Sequence, residues 1–221
     1  NPADASYECT DEFLLEEVTF TDNCDEEVSV VYEAVESGDS CESTITRTWV
    51  ATDACGNETI VDQVITISDT EAPLFTSVPA NLSLECGDDA DYGMATAEDL
   101  CNGATVTVSQ EIVSQDACTT IIEREFKAID ACGNDSYGYQ SIIIVDEAAP
   151  TFDQTLTDVS AQCEAPALAT VTATDNCSTA EVTVGTDSDL DECGNGTIVV
   201  TYYAQDECGN EAEPISYTIT I

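Results

Sequence analysis

Between Thr44 and Ala51 the chain alternates strictly, with Ile45, Arg47, Trp49 and Ala51 on one parity and Thr44, Thr46, Thr48 and Val50 on the other. A period of two over that length predicts a β-strand with one face turned inward. The inward set returns twice, as Ile122, Arg124, Phe126, Ala128 and as Ile198, Val200, Tyr202, Ala204. After a Gly-Asn pair a second alternating run follows, Val61, Gln63, Ile65 and Ile67, matched by Ile215, Tyr217, Ile219 and Ile221. A Gly-Asn pair between two such runs predicts a tight hairpin. Nothing in the chain repeats with a helical period, and strands with their turns recur about every 8 to 12 residues. The economical reading is all-β: three small antiparallel sandwiches of immunoglobulin or fibronectin type. Buried aromatics are ordinary core in such folds, so Trp49 is read as packing rather than as a cofactor contact.

The cysteines set the repeat. Cys9, Cys24, Cys41 and Cys55 recur 77 residues later at Cys86, Cys101, Cys118 and Cys132, and again, with slips of one or two, at Cys163, Cys177, Cys193 and Cys208. Around the fourth cysteine the copies read Asp53-Ala54-Cys55-Gly56-Asn57, Asp130-Ala131-Cys132-Gly133-Asn134 and Asp206-Glu207-Cys208-Gly209-Asn210. Three such agreements in one phase identify a tandem array. Acidic, Pro-ended joints, Asp69-Thr70-Glu71-Ala72-Pro73 and Asp146-Glu147-Ala148-Ala149-Pro150, separate the copies, because Pro stops a strand. The expected repeats are therefore 1–70, 71–147 and 148–221.

Charge changes the picture next. Among 221 residues there are 46 Asp or Glu, 3 Lys or Arg and no His, a formal charge of −43. Nucleic acid and anionic lipid both need cationic partners that this chain lacks. With 43% hydrophobic residues the chain can still bury a core, which argues against disorder. Self-repulsion on this scale calls for salt or bound cations, and hard carboxylate oxygens favour Ca²⁺. No apolar run approaches the roughly 18 residues of a membrane span. The start, Asn1-Pro2-Ala3-Asp4, has neither a basic region nor an apolar stretch, so any export signal is expected to be removed or to lie outside this sequence.

Twelve cysteines without His and without a Cys-x-x-Cys pair read as a disulfide framework, not as zinc sites, and place the chain in an oxidising, extracytoplasmic compartment. In a sandwich whose strands reverse direction, the first and third cysteines fall at one end and the second and fourth at the other. That sorting predicts Cys9–Cys41, Cys24–Cys55, Cys86–Cys118, Cys101–Cys132, Cys163–Cys193 and Cys177–Cys208, although four cysteines allow three connectivities in each repeat. With no His or Lys placed to activate a thiol, none is read as catalytic.

Asp22-Asn23-Cys24 and Asp175-Asn176-Cys177, the stretch Ile45-Thr46-Arg47-Thr48-Trp49, the Asp-x-Cys-Gly-Asn motif and the Asp-x-x-Ala-Pro joint together resemble the hyalin repeat in its four-cysteine bacterial form, across all three copies. The resemblance implies an immunoglobulin-like fold in extracellular, often Ca²⁺-dependent adhesion proteins, including giant tandem-repeat surface proteins of gliding bacteria. The copies depart from the pattern at Leu100, which replaces the Asn before Cys101, and at Val200, which replaces Arg.

The candidate chemistry is a Ca²⁺ site at each joint. Linker acids should meet the loops of the next repeat: Asp69 and Glu71 with Glu98, Asp99, Asp130 and Asn134 at the first, and Asp146 and Glu147 with Asp175, Asn176, Asp206 and Asn210 at the second. Such sets can offer the six to eight oxygens that Ca²⁺ takes, although the same Asp and Asn residues also serve turns, and no EF-hand spacing is present. Arg47 and Arg124, inward on matching strands, call for a carboxylate or backbone partner, whereas Lys127 is read as a solvated charge. Asn-x-Ser/Thr triplets at Asn57, Asn81, Asn134, Asn176 and Asn195 permit glycosylation, with Asn81 and Asn195 the favoured sites.

Enzyme function is not expected. A Ser-His-Asp triad is impossible without His, a phosphate-cradling glycine loop is absent, and no carboxylate pair is marked out for glycoside chemistry. A Thr-rich ice-binding face at Thr44, Thr46 and Thr48 is broken by Glu123 and Glu125 in the second copy. Three units of about 35 Å joined by short linkers predict a spacer rod of roughly 100 Å. The chain is therefore read as a structural or adhesive segment of a secreted or bacterial cell-surface protein, with neighbouring repeats, copies of itself, surface glycans or other cells as partners. Exposed Tyr32, Tyr92 and Tyr139 are weak candidates for sugar contact. The alternative is a protomer of an extracellular head-to-tail filament, in which Asp22, Asn23, Asp53 and Asn57 accept the C-terminal strand end of a neighbour. A longer polyprotein accounts for the same chain ends equally well.

Overall fold

The computed structural model describes residues 2–24 and 27–221. All regular structure among them is β: β1 (Ala5–Glu8), β2 (Ser29–Gly38), β3 (Glu42–Thr52) and β4 (Glu58–Ser68) in the first repeat. The second repeat holds β5 (Leu74–Ser77), β6 (Leu82–Glu85), β7 (Thr96–Glu98), β8 (Ala104–Gln115), β9 (Thr119–Asp130) and β10 (Asp135–Val145). The third holds β11 (Thr151–Phe152), β12 (Val159–Ser160), β13 (Ala173–Thr174), β14 (Ala180–Leu190), β15 (Gly196–Asp206) and β16 (Ile215–Thr220). No helix among the described residues is long and apolar enough to cross a membrane.

Each repeat is built on one four-stranded sheet of the same order: β1-β4-β3-β2, β6-β10-β9-β8 and β12-β16-β15-β14. In the second and third repeats a two-stranded sheet, β5-β7 or β11-β13, accompanies it, giving tandem immunoglobulin-like sandwiches, while the first repeat shows the four-stranded sheet alone among the described residues. The short first strand of each four-stranded sheet joins parallel to the last, as Ala5 faces Ile65, Leu82 faces Ile142 and Val159 faces Ile219. The sheets are thus mixed at one edge, a feature that alternation alone does not encode.

By contact density the chain divides into two compact units, Asn1–Pro79 with Met94–Ser109 and Glu125–Tyr139, and Ala80–Gly93 with Gln110–Arg124 and Gln140–Ile221. Each unit contains one complete joint.

The inward faces are those that the period of two marked. Trp49, Ala51, Val61 and Ile65 are buried in the first repeat, Phe126, Ala128 and Ile142 in the second, and Val200, Tyr202, Ala204, Tyr217 and Ile219 in the third. Arg47 is buried with them. It donates to Gln63 Oε1 (2.7 Å) and the Glu16 carbonyl (3.1 Å) and stacks 4.5 Å above Trp49. Arg124 repeats the device, donating to Gln140 Oε1 (2.7 Å) and to the Tyr92 and Gly93 carbonyls. Amide and backbone oxygens therefore receive these guanidinium groups. In the third repeat Val200 takes the Arg position, and Tyr217, its cross-strand partner, takes that of Gln63. There the Tyr202 hydroxyl donates to the Ala169 carbonyl (2.6 Å) and the Tyr217 hydroxyl accepts from the Ala169 N–H. Lys127 is not free in solvent, since its ammonium pairs with Asp135 at 2.6 Å and lies over the Tyr137 ring.

The hairpin after the Trp49 strand is one residue longer than a Gly-Asn turn. Thr52 still faces Glu58, the Asp53 N–H donates to the Asn57 carbonyl, and Ala54, Cys55 and Gly56 form the loop. Gly56, Gly133 and Gly209 hold φ of 87°, 94° and 89° at this point, a left-handed conformation that glycine adopts without a Cβ clash.

The disulfides correct the sequence reading. The structure bonds Cys9 to Cys101, Cys41 to Cys132, Cys86 to Cys177 and Cys118 to Cys208, with Cα separations of 6.0, 5.3, 5.9 and 5.3 Å. None of the within-repeat pairs Cys9–Cys41, Cys24–Cys55, Cys86–Cys118, Cys101–Cys132, Cys163–Cys193 or Cys177–Cys208 forms. Cys24, Cys55, Cys163 and Cys193 are exposed thiols. Strand order explains why. Cys9 follows β1 and Cys41 precedes β3, and both do sit at one end, but the end of β4 runs between them: the Cys9 N–H donates to the Ser68 carbonyl and the Asp69 N–H to the Cys41 carbonyl. Two strand spacings amount to about 9.5 Å, beyond the roughly 7 Å that a disulfide spans. Cys86 and Cys118 flank the end of β10 in the same way. Cys9, Cys41, Cys86 and Cys118 each find a partner on the loops of the next repeat instead.

Candidate cation site at each joint

Asp69 leaves the end of β4 with its N–H on the Cys41 carbonyl, and its side chain is only 5% exposed. Two turns of the second repeat close over it. In the first, Asp99 Oδ1 accepts the N–H groups of Cys101 (2.8 Å) and Asn102 (3.0 Å), an Asx turn that fixes the carboxylate against its own backbone. In the second, Asp130 Oδ1 accepts from the backbone of Cys132, Gly133 and Asn134, while Oδ2 accepts from Asn134 Nδ2 at 2.8 Å. Burial pushes the Asp130 carboxyl up, but these bonds, led by the Asn134 side chain, outweigh it and hold the group below the usual carboxylate range. One oxygen each of Asp69, Asp99 and Asp130 thereby come within 4.8 Å of one another.

The second joint is built alike. Asp146 leaves β10 with its N–H on the Cys118 carbonyl and is 5% exposed. Asp175 Oδ1 accepts from Cys177 and Ser178, and Asp206 accepts from Cys208, Asn210 and the Asn210 side chain. Asp206 is likewise pushed up by burial and held down on balance by its hydrogen bonds, Asn210 first. Asp146, Asp175 and Asp206 form the second cluster within 4.8 Å.

Three carboxylates this close repel one another, and the hydrogen bonds do not use all their oxygens. Asp69 Oδ2 accepts from Asn102 Nδ2 at 2.7 Å. Asp69 Oδ1, Asp146 Oδ1 and Asp175 Oδ2, by contrast, are buried with no hydrogen-bond partner. A buried, unpaired carboxylate oxygen is costly, and a cation among the three removes both the repulsion and the vacancy in bonding. The donor set is entirely oxygen, since the neighbouring cysteine sulfurs are tied in disulfides and offer no thiolate. Hard oxygen donors suit Ca²⁺ or Mg²⁺ rather than zinc.

Of the residues expected at these joints, Asp69, Asp99 and Asp130 converge, as do Asp146, Asp175 and Asp206. Asn134 and Asn210 act as clamps, each donating its side-chain N–H both to the turn Asp and to the linker Asp carbonyl (3.1 Å). Glu71, Glu98 and Glu147 are exposed and lie outside the clusters. Asn176 instead donates to the Cys86 carbonyl at 2.6 Å. Two contributors escaped the sequence reading. Asn102, the residue after Cys101, bonds Asp69 and the Ser40 carbonyl, while the departing Leu100 points out at 86% exposure. Glu85 brings a carboxylate beside Asp146 and receives the Glu147 N–H. A shift of the Asn by two places, from before the cysteine to after it, was the available signal for Asn102. Of the two favoured glycosylation positions, Asn81 uses Oδ1 to accept the Ser141 N–H, and Asn195 donates to Asp191.

Residues 1–67 match the family model described as HYR-like domain with 4 cysteines, so the resemblance read from the motifs is borne out there, and the same cysteine phase continues to Cys208. No curated protein matches the chain. Among solved structures, mouse clustered PcdhgC3 EC1-3 aligns at 13% identity over 81% of this chain and 76% of that one, with a TM-score of 0.34. Mouse Protocadherin-24 EC1-3 aligns at 16% identity over 81% and 79%, TM-score 0.35, and human CDH23 EC21-23 at 17% identity over 80% and 74%, TM-score 0.33.

Proposed function

We propose that the chain is a structural and adhesive segment of an extracellular tandem-repeat protein, in which each joint between repeats is locked by two disulfides and rigidified by Ca²⁺. The observation that carries the cation is the pair of buried, unpartnered linker oxygens, Asp69 Oδ1 and Asp146 Oδ1, each inside a three-carboxylate cluster. The extracellular setting is supported by the cross-joint disulfides, which persist in oxidising compartments, and by the four-cysteine family match at residues 1–67. The three repeats 1–70, 71–147 and 148–221 are the units of this reading, and its ligands are neighbouring repeats, cell-surface glycans or other cells.

Calorimetric titration of the oxidised chain with CaCl₂ tests it. About two ions per chain should bind, and Asp69→Asn and Asp146→Asn should each remove one of them while leaving the other. Absence of binding at millimolar Ca²⁺, or binding unchanged in both variants, contradicts the cation sites. A chain that binds no Ca²⁺ yet keeps its cross-joint bridges remains a disulfide-locked spacer.

A further inference from the structure

The four cysteines outside the bridges form two half-joints of the kind that a neighbouring repeat completes. In each bonded joint the first and third cysteines of one repeat meet the second and fourth of the next: Cys9 and Cys41 bond Cys101 and Cys132, and Cys86 and Cys118 bond Cys177 and Cys208. The free set consists of the second and fourth cysteines of the first repeat, Cys24 and Cys55, and the first and third of the last, Cys163 and Cys193.

The surroundings of Cys24, Cys55 and Cys193 already have the bonded form. The Cys24 N–H donates to Asp22 Oδ1 at 2.7 Å, as those of Cys101 and Cys177 do to Asp99 and Asp175. The Cys55 N–H donates to Asp53 Oδ1 at 2.9 Å, with Asn57 clamping the same carboxylate by backbone and side chain, as at Cys132 and Cys208. On the other half, the Cys193 N–H donates to Asp191 Oδ1 at 2.8 Å, matching Cys41 on Asp39 and Cys118 on Asp116. Cys163 also lies beyond the first strand of its sheet, but two residues further from β12 than Cys9 and Cys86 are from β1 and β6, and at a φ of 69°. All four thiols are exposed.

The geometry points to a further four-cysteine repeat of this same form as the partner of each half, its first and third cysteines bonding Cys24 and Cys55 and, at the other half, its second and fourth bonding Cys163 and Cys193. A second copy of this chain can stand in for that repeat, with Cys163 of one bonding Cys24 of the next and Cys193 bonding Cys55, a heterologous contact. For each bond a thiolate attacks a low-molecular-weight disulfide such as oxidised glutathione and releases one glutathione thiol. The partner cysteine's thiolate then attacks the mixed disulfide and releases the second, so two cysteine thiols are oxidised as one glutathione disulfide is reduced to two thiols. The inference goes beyond the spacer reading and stands on the disulfide pattern, independent of any cation.

The test is oxidation of the purified 221-residue chain, internal bridges intact, with a glutathione redox buffer at high protein concentration. A ladder on non-reducing gels is expected, with cross-linked peptides joining Cys24 to Cys163 and Cys55 to Cys193. The variants C24S/C55S and C163S/C193S should each stay monomeric alone and give a dimer, and nothing larger, when mixed. Peptides joining Cys24 to Cys55 or Cys163 to Cys193, a monomer capped by glutathione, or a ladder from either variant alone would overturn the inference.

Discussion

Asp53, Asp130 and Asp206 show how one residue type does two jobs. Each caps its own hairpin through the Asn four places on, and Asp130 and Asp206 also face a joint. Hydrogen bonds hold the Asp53, Asp130 and Asp206 carboxyls below the usual range, led by the Asn57 side chain at Asp53, while at Asp130 and Asp206 burial pushes up and the bonds from Asn134 and Asn210 outweigh it. Their folded-state pKa lies under the unfolded value of about 3.9. The stability they supply is therefore complete above that pH and is lost as pH falls through the folded values. Acid also relieves self-repulsion in a chain of charge −43, so a variant isolates the effect. Asn210→Ala, which removes the clamp on Asp206, should lower the melting temperature clearly at pH 6 and hardly at pH 2. An equal loss at both values would show that the clamp does not act through the ionised carboxylate.

At the scale of strands, the alternation in β3, β9 and β15 was legible because burial on one face imposes a period of two on neighbouring residues. The parallel addition of β1, β6 and β12 was not, since pairing between strands about 60 residues apart leaves no local mark. The disulfides illustrate the same limit. Sorting Cys9 and Cys41 to one end is a local inference and holds, but their bonding depends on β4 lying between them, which only the sheet order reveals. Asp69, Asp99, Asp130 and their counterparts were readable from the motif spacing, whereas Glu71, Glu98 and Glu147 were included for charge alone and face solvent. The buried Arg47–Gln63 pair and its replacement by Val200–Tyr217 are two solutions to one cross-strand position. Arg47→Val alone strands the Gln63 Oε1 and Glu16 carbonyl acceptors and should cost about 2 to 4 kcal/mol. Adding Gln63→Tyr should recover about 1 kcal/mol or more through coupling of adjacent sites. Urea unfolding of the single and double variants reads this directly, and strictly additive losses would refute the equivalence.

For the whole molecule, charge and connectivity act together. Diffuse repulsion among 46 acids is screened by any salt, whereas a joint cluster of the proposed kind should respond only to a divalent ion that fits it. Raising NaCl from about 10 to 500 mM, a range over which the Debye length falls from roughly 30 Å to a few ångströms, should raise the melting temperature of the wild type and of an Asp69→Asn/Asp146→Asn variant equally. The further rise with Ca²⁺ should appear in the wild type alone, and an identical Ca²⁺ increment in both would reduce it to screening. Each cross-joint bridge closes a segment of 90 to 92 residues, for which the chain-entropy model, itself disputed, gives on the order of 4 to 5 kcal/mol. Such bridges tie one repeat's folding to the next, where bonds inside a repeat would leave each independent. The central claim, that successive repeats are covalently bonded across their joints, is tested most directly by mass-spectrometric mapping of a non-reduced digest made with an acid-specific protease. Linked peptides pairing Cys9 with Cys101, Cys41 with Cys132, Cys86 with Cys177 and Cys118 with Cys208 are predicted, and linkage of Cys9 to Cys41 or of Cys101 to Cys132 would contradict it.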